Sequence, residues 1–248
     1  MRVIQKIWRR WCLLSWQIGS YVYLMIANIL KYEPKQKEDV EKTKDKIIYL
    51  TFDDGPGPYT RRLLKILDRY HVKATFFVTG NGESDIISEI AAAGHAVGNH
   101  TISHKYKEIY SGEEQFYDAL YKMEEIIVEK TGMQSKIMRF PGGSSNTCSR
   151  FNDKIMTRLA SSVQERGYVY FDWNVDSRDA GDARIPGTVY RNIIKGVQEN
   201  EVSIVLQHDV RPYSVVVVQR VILWGLKNGY VFLPLDENSP TAHHEINN

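Results

Sequence analysis

Five short stretches place chemically capable side chains directly after apolar runs. TFDDGP carries Asp53 and Asp54, HTISH carries His100 and His104, and KIMRF ends next to Arg139 before PGGSSN. DWNVDSRD carries Trp173, Asp176 and Asp179, and VLQHD carries His208 and Asp209. Adjacent carboxylates repel unless a cation or donor separates them; the plain alternative for Asp53-Asp54 is a turn, since Asp, Gly and Pro are all turn residues. Two histidines four apart fall on one side of a helical turn and can share one metal ion. Two His with one carboxylate make a three-ligand set with positions open for water and substrate, which is catalytic in style. Arg139 can hold a carboxylate ionised through charge and a bidentate bond, or can be an ordinary structural arginine. A histidine that ends an apolar strand is well placed to donate a proton. Singly, most of these residues are more often structural than catalytic. Together they supply a base, a metal set, an orienting arginine and an acid.

The elements between them must bring these residues to one place. IIYLTF, KATFFVTG, AVGNH, KIMRF, YVYFDW, SIVLQH and YVFLPL read as short strands. RRLLKILDRYH, SDIISEIAAAGH, EEQFYDALYKMEEIIVEKTG, MTRLASSVQERG, TVYRNIIKGVQEN and QRVILWGLKNG read as helices, several closed by glycine. Alternating strands and helices imply βαβ units and a parallel sheet, a barrel or a doubly wound fold. Such folds build their sites at the C-terminal ends of the strands, where the five polar stretches fall.

The 248 residues suit one good-sized domain. With Lys+Arg at 32 and Asp+Glu at 30, the formal charge of +2 offers no basic excess to neutralise a phosphate backbone, so no nucleic-acid partner is expected. Two cysteines, Cys12 and Cys148, cannot make a four-thiolate zinc site, so any metal must rest on His and carboxylate. Residues 11–30, WCLLSWQIGSYVYLMIANIL, lack Asp, Glu, Lys and Arg and follow four cations, Arg2, Lys6, Arg9 and Arg10. About 20 residues at 1.5 Å each span a bilayer core. The expectation is a membrane anchor over 1–30, a single pass with the cations retained in the cytoplasm and residues 47–248 outside the cell. An amphipathic surface helix is the alternative. Residues 31–46 read as a charged linker and 236–248 as a frayed polar tail.

The order TFDDGP, HTISH, RFPGG, DWNVDSRD, VLQHD resembles the five motifs of the polysaccharide deacetylase family, carbohydrate esterase family 4 with its NodB-homology domain. The resemblance covers about residues 47–235 and keeps motif order and spacing. It implies an α/β fold, a distorted (β/α) barrel with fewer than eight units. It implies that Asp53 is the general base, that Asp54, His100 and His104 hold a divalent metal (Zn²⁺, or another such as Co²⁺), and that Arg139 orients the base. By the same resemblance His208 is the general acid, tuned by Asp179. Trp173 and Leu206 wall the acetyl methyl, and the Gly142 amide faces the oxyanion. The implied reaction is metal-dependent removal of N-acetyl groups from the amino sugars of a polysaccharide. RFPGGSSN looks most like Gram-positive peptidoglycan N-acetylglucosamine deacetylases; chitin oligomers and exopolysaccharides share the same amide. RFPGG stands where many relatives read RPPY, losing an aromatic wall, and Ala180 stands where they often carry Trp. A non-catalytic glycan-binding module is the rival within the fold, and a non-haem iron oxygenase the rival from the ligand set.

Overall fold

The computed structural model describes residues 46–247; the expected anchor and all but the last residue of the linker lie outside the described residues. Strands β1 (Ile47–Asp53), β2 (Thr75–Val78), β3 (Ala96–Asn99), β4 (Ile137–Met138), β5 (Val169–Tyr170), β6 (Val175–Asp176), β7 (Val202–His208) and β8 (Val231–Phe232) form one sheet. Its order is β5-β4-β3-β2-β1-β7-β6, with β8 beside β1. Every pairing is parallel. The expected distorted α/β barrel is thus present as a curled half-barrel. Among the described residues no strand pairing joins β5 to β6.

Helices α1 (Thr60–Arg69), α2 (Asp85–Ala92), α3 (Tyr106–Ile109), α4 (Glu113–Thr131), α5 (Ile155–Glu165), α6 (Pro186–Gln198) and α7 (Pro212–Lys227) connect the strands. Gly132 ends α4 with φ 74°, a left-handed conformation that glycine adopts without strain. α6 and α7 each begin on proline, whose missing N–H is no loss in the first turn. Among the described residues no helix is long and apolar enough to cross a membrane.

β1 and β7 pair along their full length, from Ile47↔Val202 to Asp53↔His208. All seven residues of β1 are buried, as expected of a strand covered on both faces. Side chains alternate between faces. Ile47 and Tyr49 join Ile204, Phe77 and Phe171 in the inner cluster. Ile48 turns the other way, where a side chain at Gly225 of α7 would touch it. Period two therefore puts Thr51 and Asp53 above Tyr49, and Leu206 and His208 above Ile204. Each strand grades from apolar packing at its start to reactive groups at its end.

Candidate active site

Asp53 ends β1 and is 3% exposed. Arg139, the residue after β4, is fully buried and reaches across the half-barrel to it. Its Nη1 donates to Asp53 Oδ1 and to Thr51 Oγ1, each at 2.7 Å. Nε donates to the Phe171 carbonyl and Nη2 to the Asp172 carbonyl, both at 2.9 Å. The guanidinium also lies over the Phe77 ring, 4.3 Å from its centroid. A buried charge requires full pairing, and four acceptors meet that demand.

Asp54 leaves the strand with φ 70°, a conformation aspartate tolerates better than most residues. The loop it enters lies on Asp209, whose carboxylate accepts the Thr60 hydroxyl and occupies the space a side chain at Gly55 would need. Burial raises the Asp209 carboxyl to about 7, the Thr60 bond opposing and the Asp54 charge adding.

His100 follows β3, and its Nδ1 donates to the Arg139 carbonyl at 2.8 Å. A carbonyl can only accept, so Nδ1 carries the proton and the Nε2 lone pair faces Asp54. Burial lowers His100 to about 4 against the charges of Asp53 and Asp54, so the ring is neutral at pH 7, the form that ligates metal. His104 Nε2 lies 2.9 Å from Asp54 Oδ1, and the two imidazole centroids are 4.8 Å apart. The HTISH stretch is not the helical turn that its spacing suggests. Thr101 has φ 60°, and its N–H is taken by the Asn99 side chain at 2.9 Å, which forces a loop. The loop brings the imidazoles together all the same.

One potential ligand atom from each of Asp54, His100 and His104 lies within 4.8 Å of the other two. Asp54 Oδ1 and His104 Nε2 are buried 2.9 Å apart, and neither has a hydrogen-bond partner beyond the other. Burial raises the Asp54 carboxyl, but the His104 bond and the charges of His100, His104 and His208 dominate and hold it well below the usual range. An ionised carboxylate, a neutral imidazole and buried polar atoms with no other partner fit a divalent cation.

His208 closes β7, and its Nδ1 meets Asp179 Oδ1 at 2.6 Å. Asp179 Oδ2 accepts the His208 backbone N–H at 2.8 Å. Burial alone would depress the imidazole; the Asp179 bond and charge, with the charges of Asp53 and Asp54, outweigh it and raise His208 from 6.5 to about 9. Burial likewise pushes Asp179 upward, and the bonds and charge of His208 bring it below its ordinary value. Nε2 points toward the metal-site carboxylate, 3.9 Å from Asp54 Oδ2.

Asp53, Asp54, His100, His104, Gly142, Trp173, Leu206 and His208 line one cleft of ≈ 520 Å³. Arg139 and Asp179 stand behind it, one backing Asp53 and the other His208. Ala180 and Asp176 lie on the wall; Asp176 caps a turn, its carboxylate accepting the Arg178 N–H at 2.7 Å. Two contributors went unseen in the sequence. Tyr106 lines the cleft with its hydroxyl 3.3 Å from His104 Nδ1, an aromatic beside the Gly-Gly segment that lacks one. Its signal was its place two residues after HTISH. Asp172, fully buried, accepts the Ser144 N–H at 2.8 Å and hydroxyl at 2.5 Å, holding the loop that contains Gly142. Nothing in DWN alone separates it from its neighbours.

Residues 40–159 match the family model described as polysaccharide deacetylase. A Bacillus cereus peptidoglycan-N-acetylglucosamine deacetylase is 30% identical over 93% of this chain and 90% of its own. The solved catalytic domain of peptidoglycan N-acetylglucosamine deacetylase from Eubacterium rectale superposes with a TM-score of 0.82 at 48% identity, over 88% of this chain and 99% of that one. A polysaccharide deacetylase structure from Bacillus cereus gives a TM-score of 0.68 at 31% identity, over 82% and 96% of the two chains. With the 30% identity over 93% of its length and five motifs converging on one cleft, the chain belongs to the polysaccharide deacetylase family.

Proposed function

We propose that this chain hydrolyses the N-acetyl groups of peptidoglycan, with N-acetylglucosamine as the sugar, and releases acetate. The observation that supports this reading is the pairing Asp53↔His208 across β1 and β7, with the candidate base Asp53 3.6 Å from His100 and the candidate acid His208 3.9 Å from Asp54 of the Asp54–His100–His104 trio. A glycan-binding module would need neither.

Asp54, His100 and His104 would hold a divalent ion, zinc in our reading, which would supply Lewis-acid charge at the amide carbonyl and at water. Asp53, oriented by the Arg139 guanidinium, takes a proton from the attacking water. The Gly142 amide offers a donor to the oxyanion as the carbonyl carbon becomes tetrahedral. Trp173 and Leu206 enclose the acetyl methyl. His208 delivers its Nε2 proton to the leaving nitrogen, which would otherwise depart as an unstable amide anion. Asp179 holds the proton on Nδ1 throughout. Acetate and a free amino sugar leave.

The test is mass spectrometry of muropeptides treated with the full chain. Glucosamine-containing fragments lighter by one acetyl group replaced by hydrogen are expected. Unaltered glucosamine with altered muramic acid would move the assignment to the neighbouring sugar, and unaltered fragments throughout would end the reading.

Our reading of residues 11–30 is a single-pass anchor with the catalytic domain outside the cell, supported by the apolar stretch and its flanking cations. Removing residues 1–40 is expected to release a soluble, active domain. Full-length protein found wholly in the cytoplasmic fraction would refute the anchor.

A further inference from the structure

The segment after β8 does not fray. Residues 241–247 alternate exposed and half-buried, with Ala242, His244 and Ile246 turned inward, the period of an extended strand. Ala242 packs on the inner cluster and Ile246 on the cluster under α4 and α5. The segment runs along β5 and the residues after it, which have β4 on one side and no paired strand on the other among the described residues.

Two histidines serve carbonyls there. His243 stacks on Tyr170, centroids 3.9 Å apart, and its Nε2 lies 3.0 Å from the Tyr170 carbonyl. His244 Nε2 lies 2.7 Å from the Trp173 carbonyl, and its Nδ1 3.1 Å from the Ser145 hydroxyl. One neutral tautomer satisfies both, Nε2–H donating and Nδ1 accepting. The His244 backbone N–H donates to Asp172 Oδ2 at 2.9 Å, the same carboxylate that holds Ser144. The imidazole also stands edge-on to the Trp173 indole, centroids 4.6 Å apart. The indole also lies against Gly143, where an added Cβ would come within 2.9 Å of it. His244 thus touches or bonds to Asp172, Trp173 and Ser145.

We propose that residues 236–247 form a positioning strap for the acetyl pocket, with His244 the residue that fixes Trp173 and the loop bearing Gly142. The proposal rests on the deacetylase reading for its effect on rate, but not for its effect on the loop. A displacement of the oxyanion donor or the methyl wall by a fraction of an ångström acts on the transition state, so the loss falls on kcat more than on KM.

The full chain with His244→Phe keeps a ring against Trp173 but has no nitrogen. Expected are a kcat lower by on the order of tenfold to a hundredfold, faster hydrogen exchange over residues 143–146, and unchanged melting temperature and bound zinc. His244→Gln restores a donor where Nε2 stood and should recover most of the rate. Ser145→Ala, which removes only the Nδ1 bond and leaves the bond to the Trp173 carbonyl, should give a smaller loss in wild type and none on top of His244→Phe. Wild-type exchange and kcat in His244→Phe would overturn the proposal, as would a glutamine variant no better than phenylalanine or a Ser145→Ala loss that simply adds. Exchange needs no substrate, so a wild type that releases no acetate would count against the deacetylase reading and leave the strap to be judged on exchange alone.

Discussion

Asp179→Asn removes the charge that keeps His208 protonated while leaving a side chain of the same shape. In the native site the imidazole stands at about 9, so at pH 7.5 roughly 97% of it is imidazolium. Without Asp179, burial is opposed only by the charges of Asp53 and Asp54, and the group should fall toward its ordinary 6.5. At 6.5 only about 9% is protonated at pH 7.5, a loss of roughly tenfold from protonation alone. The amide adds to this. One Asp179 oxygen serves the His208 backbone N–H and the other serves Nδ1. If the asparagine oxygen keeps the backbone bond, its NH₂ faces Nδ1 and favours the neutral ring. The assay is kcat against pH for folded, zinc-loaded enzyme, with acetate as readout. The alkaline limb should move from near pH 9 toward about 6.5, with most of the lost rate recovered under acid conditions. An unmoved alkaline limb would refute the reasoning, because it would mean that the limb does not report His208.

The same group makes stability depend on pH: its folded value lies above the unfolded 6.5, so its contribution is whole below about pH 6.5 and disappears as pH rises through about 9. The loss should be about 3 kcal/mol in urea unfolding of metal-free protein, and absent in Asp179→Asn. Arg139→Met leaves Asp53 buried and unpaired and should cost about 3–5 kcal/mol of unfolding free energy; a loss near zero would mean that water reaches the carboxylate. Chelation should abolish acetate release and zinc should restore it, with His100→Ala lowering bound metal per chain; full activity of metal-free protein would remove the trio from the mechanism.

The parts of the fold that were legible are those where one face of an element decides its pattern. IIYLTF and SIVLQH are buried on both sides and read as unbroken apolar runs. The reactive residues at their ends were visible because a charge after such a run has no other obvious use. Other features depend on partners far along the chain. The loop form of HTISH comes from the Asn99 side chain capturing the Thr101 N–H, a choice that spacing does not reveal. α7 starts at Pro212, well before the expected QRVILWGLKNG, because packing overrides the strand preference of its valine run. β6 is two residues long, too short for alternation to show. The tail looked soluble and frayed because its anchoring contacts are imidazole bonds to Tyr170 and Trp173, over seventy residues away.

The Asp53↔His208 register has a consequence for how this scaffold tolerates change. Neighbouring strands in a sheet lie about 4.8 Å apart, and neither β1 nor β7 can slide without turning every apolar side chain to the wrong face. Asp53 and His208 are thus mounted on two strands that hold each other in register. Gly142 and Trp173 of the cleft wall stand instead in the loops after the two-residue strands β4 and β5. The 141–146 loop can therefore be exchanged without moving either strand, whereas any exchange of 173–182 must keep Asp179, which bonds His208 twice.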